Sequence, residues 1–269
     1  MALDAIVPGL IVPDWPAPAH VHAAMTTRMG GVSLAPFASF NLASHVGDEA
    51  AAVFDNRQLL RQQLLRQQLL RQQLPVEPLW LNQVHGAGVA DSAAARCCEQ
   101  PPVADAAVSF LPNEVRVVLT ADCLPVLFCD EAGTVVAAAH AGWRGLAAGV
   151  LEATVRAMPV APERILVWLG AAIGPDAFEV GPEVREIFMS QHALAGIAFR
   201  PALPGTLDGV PHKWLADIYS LARIRLASIG VERVYGGGLC TFTDANRFYS
   251  YRRDGQTGRM ASLIWRDRA

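Results

Sequence analysis

Short apolar runs separated by turn-forming clusters dominate this chain, and only a few stretches keep a helical period. Residues 21–27 read as a strand that closes on Arg28-Met29-Gly30-Gly31, a turn signal. Residues 78–84 read as a second strand, ending at His85-Gly86. Residues 115–120 are β-branched and apolar, which predicts a buried strand leading to Asp122 and Cys123. Residues 165–169 predict another, entering Gly170-Ala171-Ala172-Ile173-Gly174-Pro175, and late strands are expected over 231–235 and 248–251. Helical spacing appears at Leu146, Val150, Leu151, Val155 and Met158, and Pro159 stops it. Residues 183–191 and 214–229 also read as helices. Strands and helices mix without a regular βαβ rhythm, and no Pro/Gly/Ser-rich linker divides residues 1–269. One α+β domain is expected.

The most informative pattern is a hairpin. Thr120-Ala121-Asp122-Cys123 leads into the apolar run 124–129, and Asp130-Glu131-Ala132-Gly133 has turn composition. A second apolar run, 134–139, delivers His140 and then Ala141-Gly142-Trp143-Arg144-Gly145. With residues 130–133 as the loop, Cys129 faces Thr134 and Cys123 falls opposite His140. Opposite residues share a face, with Cβ atoms about 4.5–5.5 Å apart. That spacing suits two ligands of one metal, or a thiol beside its base. A slip of one residue would send the side chains to the other face.

One segment is low in complexity. Arg61-Gln62-Gln63-Leu64-Leu65 repeats at 66–70 and begins again at Arg71, so residues 61–74 form a helical expansion that Pro75 ends. Five residues advance about 500° on a helix, so successive leucine pairs rotate by roughly 140°. Leu59, Leu60, Leu64, Leu70 and Leu74 can share a broad face, but the pattern is not a heptad.

Composition narrows the function classes. The chain has 269 residues, is 52% hydrophobic and carries a net charge of −3, so it can bury a sizeable core and has no polyanion-binding signature. Nucleic acid is not an expected partner. Lys213 is the only lysine, which rules out a Walker A motif. Five cysteines, with Cys97 and Cys98 adjacent, suit a reducing cytoplasm better than a disulfide framework. The N-terminus has no basic region of the signal-peptide kind, and no uncharged apolar run reaches the length of a spanning helix, so no membrane association is expected.

Cys123 and His140 need a third partner to hold a catalytic metal. His85, which also closes a predicted strand, is the best candidate. Three N/S ligands with one open position is the arrangement of catalytic zinc, which lowers the pKa of bound water to about 7. Asp122 can orient a ligand or move protons. The same residues also make a metal-free alternative, with Cys123 as a thiolate nucleophile and His140 as its base. Arginines beside glycine turns are the second signal, because such sites suit anions: Arg28, Arg144, Arg252, Arg253 and Arg259. Seven scattered histidines are too few for a blue-copper centre plus a trinuclear copper cluster.

Taken together the motifs resemble one family. They are Thr27-Arg28-Met29-Gly30-Gly31-Val32-Ser33, Phe40-Asn41-Leu42, His45-Val46-Gly47-Asp48, Asn56-Arg57 and Asn82-Gln83-Val84-His85-Gly86, followed by Thr120-Ala121-Asp122-Cys123, His140-Ala141-Gly142-Trp143-Arg144-Gly145 and Ile173-Gly174-Pro175, and last by Phe178-Glu179-Val180-Gly181, Cys240-Thr241 and Ser250-Tyr251-Arg252-Arg253. In this order they look like the YfiH-like, or laccase-domain "polyphenol oxidase", family, to which the human FAMIN protein is related. The resemblance implies a single-domain, four-layer α/β/β/α sandwich with mixed sheets. It implies a zinc site on His85, Cys123 and His140, with Asp122, Cys123 and His140 as catalytic residues. Arg28, Asn41, Gln83, Arg144 and Arg252 are the expected substrate and phosphate contacts. The implied activity is phosphorolysis of adenosine, inosine and S-methyl-5′-thioadenosine, with adenosine deamination beside it, by a monomer or homodimer. Three alternatives stay open: an amidase that edits a UDP-muramyl-L-serine precursor with a Cys-His or zinc centre, a non-catalytic metal-binding module, and a copper-dependent polyphenol oxidase, since a Cys/His₂ site also accepts copper. The departure from the family pattern is the pentad expansion.

Overall fold

The computed structural model describes residues 5–7, 9–66, 77–92, 100–202 and 213–268. Residues 67–74 of the pentad expansion and the Cys97-Cys98 pair lie outside them.

Two sheets stack face to face. The first joins β1 (Ala5–Val7), β2 (Leu10–Val12), β3 (Val21–Thr26), β6 (Arg116–Thr120) and β14 (Met260–Arg266) in the order β1-β2-β3-β14-β6, antiparallel throughout. The second joins β4 (Val89–Ala90), β5 (Ala106–Ser109), β7 (Leu124–Asp130), β8 (Val136–Ala141), β9 (Ile165–Leu169) and β13 (Arg233–Gly236) in the order β13-β9-β7-β8-β5-β4. Its two edge pairings are parallel and its central ones antiparallel. A small third sheet orders β10 (Glu179–Val180), β12 (Trp214–Ala216) and β11 (Phe199–Pro201).

Side-chain alternation sorts the core into layers. Between the two large sheets, Met25, Val118 and Ile264 meet Leu127, Ala138 and Trp168. The other face of the second sheet, with Val126, Phe128 and Val167, lies under helices α3 (Val150–Ala157), α4 (Pro182–Gln191) and α5 (Ile218–Ala227). The other face of the first sheet, with Val117, Leu119 and Leu263, is covered by Leu60 and Leu64 of α1 (Ala50–Arg66) and by Phe40 and Leu42. The order is therefore helix, sheet, sheet, helices, the sandwich the resemblance implies. β7 and β8 are buried along their whole length because both faces of their sheet are covered, and so they read as unbroken apolar runs.

The hairpin register corrects the sequence reading. Pro125, not Cys123, pairs with His140, and Cys129 pairs with Val136 rather than Thr134. The cause is Asp130, which stays in β7. Its N–H donates to the Val135 carbonyl, and its carboxylate accepts from the N–H groups of Thr134 and Val135. The loop moves one residue onward to 131–134, which displaces the register by two. An even displacement keeps every side chain on its face. Cys123 therefore still shares a face with His140, just beyond the end of the ladder.

Other expectations change for local reasons. The helix read through 146–158 is two helices, α2 (Trp143–Ala148) and α3, split at Gly149 with φ 89°. Residues 214–216 form β12, and the helix begins only after Asp217, whose carboxylate caps the Tyr219 and Ser220 N–H groups. Residues 78–84 make isolated bridges from Leu79 and Asn82 instead of a strand. Phe248 and Tyr249 are buried outside any strand, and the short helix α6 (Tyr251–Asp254) follows. On α1 the shared face holds where it is described: Leu60 and Leu64 are buried and Leu59 packs beside them.

Candidate metal centre and its two cavities

The chain changes sheets at Ala121-Asp122-Cys123, between β6 of the first sheet and β7 of the second. Asp122 makes the bend at φ 92°, a conformation costly for a residue with a Cβ. It is held there by both ends of its side chain. Oδ1 accepts the Thr241 hydroxyl at 2.6 Å, and Oδ2 accepts the Arg252 N–H at 2.7 Å. The bend presents Cys123 beside the C-terminal end of β8, where His140 stands.

His85 arrives from a loop, also with positive φ (61°). That loop is wrapped around one buried carboxylate. Asp105 accepts the N–H groups of Val84, His85 and Gly86 at 3.1, 2.8 and 2.7 Å, and its Oδ1 lies 2.8 Å from His140 Nδ1. Asp105 thus orients two of the three candidate ligands. With Nδ1 hydrogen-bonded to the carboxylate, Nε2 is the His140 nitrogen left for a metal.

One ligand atom from each of His85, Cys123 and His140 lies within 4.8 Å of the other two. Cys123 Sγ is 3.8 Å from His85 Nε2. Ligand atoms around a tetrahedral zinc stand roughly 3.3–3.8 Å apart, so this set can close on one ion. Gly142 leaves room for it, since a Cβ there would meet Cys123 Sγ at 2.8 Å and His85 Cδ2 at 3.1 Å. His140 is buried, Cys123 half-buried and His85 exposed, which leaves an approach from solvent.

The electrostatics are those of a coupled ion pair. Burial opposes the Cys123 thiolate, but His140 and His85 overcome it and bring the thiol down to about 6. Burial likewise opposes the His140 charge, and Cys123 with Asp105 raises it to about 9. Burial works against the Asp105 carboxylate too, yet its bonds to His140, Gly86 and Val84 hold it below the ordinary range. Cys129, buried in β7, is pushed up instead and stays a thiol.

The centre forms a shared wall between two cavities. One, about 230 Å³, is walled by Trp143, Ile173, Phe178, Ile218 and Tyr251, with Asp122, Arg144 and Arg252 as its charged groups. Arg144 stacks over the Trp143 ring at 4.4 Å, and Arg252 Nη1 donates to the Glu179 carbonyl. The other, about 410 Å³, is lined by His45, Gln83, Thr120, His140 and Arg259 among others. His85, Ala121, Cys123 and Tyr251 border both.

Of the expected contacts, Asp122, Arg144 and Arg252 reach the first cavity and Gln83 the second. Gln83 is also a clamp, since its amide exchanges two hydrogen bonds with the Leu119 backbone. Arg28 and Asn41 line neither. The Arg28 guanidinium donates to the Ala38 and Ala245 carbonyls, and the buried Asn41 bonds Ala43, Asp48 and the Arg259 N–H. Asp105 is the residue that sequence reasoning left without a role, and Arg259, one of the arginines beside glycine turns, was not among the expected substrate contacts. The signal for Asp105 is a lone acid inside the apolar run 103–108, a placement that costs too much without partners.

Residues 22–267 match the family described as multi-copper polyphenol oxidoreductase laccase. The chain belongs to this family. A Pseudomonas aeruginosa relative named purine nucleoside phosphorylase is 54% identical over 95% of this chain and 97% of its own length. Purine nucleoside phosphorylase YfiH of Escherichia coli is 53% identical over 95% of this chain and 98% of its own. Among solved structures, a Neisseria meningitidis protein superposes with a TM-score of 0.87 at 48% identity, covering 97% of this chain and 100% of that one. YlmD from Geobacillus stearothermophilus gives 0.83 at 29% identity, covering 99% of each. The family name carries a copper label, but the described centre is one His/Cys/His group and not a multicopper cluster.

Proposed function

We propose that this family member is a zinc-dependent purine nucleoside phosphorylase that acts on adenosine, inosine and S-methyl-5′-thioadenosine, with adenosine deamination at the same centre. The observation that carries the reading is the placement of the three-ligand centre against an aromatic cavity of nucleoside size. The phosphorylase names of relatives more than half identical support it. A zinc ion on His85, Cys123 and His140 would supply Lewis acidity and activate water at neutral pH.

The chain's own residues do the rest. Trp143, Phe178 and Tyr251 give the cavity aromatic surface suited to a planar base, and Ile173 and Ile218 exclude water. Asp122, fixed at both carboxylate oxygens, is placed to move a proton to or from the base. In phosphorolysis a phosphate oxygen bonds C1′ as the C1′–N9 bond breaks. The base leaves with a proton and ribose 1-phosphate remains. Arg144 and Arg252 stand at the same cavity, where they steady the charge that develops as the base departs. Cys123, Cys129 and Cys240 are free thiols, which fits a cytoplasmic setting.

The test is incubation with inosine or adenosine, with and without phosphate, read by chromatography. Ribose 1-phosphate should form only with phosphate, stop on chelation and return with zinc. Turnover that survives full metal removal would favour the second reading, a Cys123–His140 nucleophile acting on an amide. The lowered Cys123 thiol is the observation on its side.

A further inference from the structure

The larger cavity is unlike its neighbour in one respect: no carboxylate lines it. The first cavity holds Asp122 beside Arg144 and Arg252, so its charges partly cancel. In the larger one Arg259 and His45 face space with nothing negative from Asp or Glu among the described lining residues.

Arg259 is built in, not draped over the surface. Its N–H donates to Asn41 Oδ1 at 3.0 Å, and Nη1 donates to the carbonyls of Thr257 and Gly258. Gly258 permits this packing, since a Cβ there would meet the Tyr249 ring at 2.7 Å and Asn41 Cβ at 2.9 Å. These contacts use one guanidinium nitrogen and leave Nε and Nη2 without a partner among the described residues. Burial, opposed by Cys123 and Asp122, lowers the Arg259 pKa, and burial together with Arg259 and Arg57 lowers that of His45. His45 is thereby held toward its neutral form, in which a ring N–H can still donate, and Arg259 is the cation of the cavity.

Neutral donors complete the set. The Thr120 hydroxyl is buried and has no hydrogen-bond partner. Gln83 spends one amide N–H on the Leu119 carbonyl and keeps the other. A pocket of unspent donors around an arginine, with no Asp or Glu among its described lining residues and bordered by the candidate metal ligands, is a receptor for a small oxyanion. We propose that this cavity is the phosphate subsite, with Arg259 and His45 as its anion-binding side chains and Thr120 and Gln83 as its neutral donors. The two substrates then approach the centre from opposite sides of the Cys123–His85 wall. The assignment rests on the phosphorylase reading for the identity of the anion.

The test uses the full chain with its metal and inorganic phosphate as the probe. Phosphate affinity is read by calorimetry, and the KM values for phosphate and inosine are read separately. Arg259→Gln should weaken phosphate binding about tenfold or more and raise the phosphate KM in step, with the inosine KM within about twofold. His45→Gln should move the same two quantities in the same direction. Arg144→Gln should leave phosphate affinity within about twofold. If Arg259→Gln melts early, Arg259→Lys, which keeps the charge and loses the fork, and His45→Gln decide the matter. Phosphate binding unchanged in these variants, lost in Arg144→Gln, or absent from the wild-type protein overturns the subsite. Binding that depends on Arg259 without any ribose 1-phosphate would keep the subsite and remove the phosphorylase reading.

Discussion

Asp105 and His140 stand directly opposite each other at the ends of β5 and β8. The His140 N–H donates to the Asp105 carbonyl at 2.7 Å, and the side chains meet again, Nδ1 to Oδ1, at 2.8 Å. The same carboxylate collects three N–H groups from the loop that carries His85. One buried acid therefore sets the angle between two candidate ligands supplied by distant parts of the chain. Removing it should loosen the centre before anything else. Asp105→Asn is expected to lower zinc affinity about 10- to 100-fold, the usual cost of losing such a support. Asp105→Ala, which also strands three N–H donors, should lose several kcal/mol of stability, at about 1–3 kcal/mol for each buried donor left unpaired. Competition with a chromophoric chelator and thermal melts read the two effects. An Asn variant with wild-type zinc affinity would show that His140 needs no such support.

Gly142 offers a steric test of the same centre. Its φ of −62° suits any residue, so a substitution there adds bulk without backbone strain. The bulk is aimed at Cys123 Sγ and the His85 ring. Gly142→Ala should keep the fold, shown by a melt within a few degrees of wild type, and lose stoichiometric metal. Full zinc content by elemental analysis would mean that the ligands close on the opposite side of the Cys123–His85 line.

How much of this was legible in the sequence depends on which force sets each feature. The strands β3, β6 and β9 are buried, β-branched or apolar runs, and their composition alone marks them. The hairpin's faces were legible but its register was not. Turn composition cannot tell which of two adjacent residues opens the loop, and Asp130 decided it by capping Thr134 and Val135 from within the strand. Trp214-Leu215-Ala216 carries a helical pattern, yet pairing with β10 and β11 makes it a strand, a tertiary override of local preference. The three candidate ligands were visible as chemistry-bearing residues at the ends of expected strands, although His85 stands in a loop. Asp105 was not, because its partners are backbone N–H groups that no motif spells. Arg28 and Arg259 sit in similar glycine-rich settings, and only the fold brings Arg259 to a cavity and leaves Arg28 away from both.

The metal-free protein should reveal the coupled charges of Cys123 and His140. The folded thiol lies at about 6, below its ordinary value, so its contribution to stability is present above the unfolded thiol pKa and is lost as pH falls through about 6. His140 is raised to about 9, so its contribution is complete below the ordinary imidazole pKa and is lost as pH rises through about 9. The thiolate–imidazolium pair therefore exists between those limits. Iodoacetamide should alkylate Cys123 with a rate that inflects near pH 6, and zinc should suppress it. Mass spectrometry of the Cys123 peptide across about pH 5–9 checks this. An inflection in the ordinary thiol range, about 8.5, would show that the two histidines do not stabilise the thiolate.

Arg28 separates the two kinds of arginine in this protein. All three of its donating nitrogens point at carbonyl oxygens, Nε and Nη2 to Ala38 and Nη1 to Ala245, and the guanidinium lies 4.9 Å from the centre of the Tyr249 ring. Three of its five N–H donors are spent on the backbone, and the side chain lines neither cavity. Arg28→Ala should cost about 1–3 kcal/mol of stability, because the guanidinium that bridges the two carbonyls is lost. Its KM for phosphate should stay within about twofold of wild type at a temperature where the variant is folded. Arg28→Lys should recover only part of the stability, since an ammonium cannot span Ala38 and Ala245 as the planar fork does. Chemical denaturation and phosphate-dependent initial rates, measured on the same preparations, provide the comparison. A phosphate KM raised tenfold in a fully folded Arg28→Ala protein would return this arginine to the substrate site.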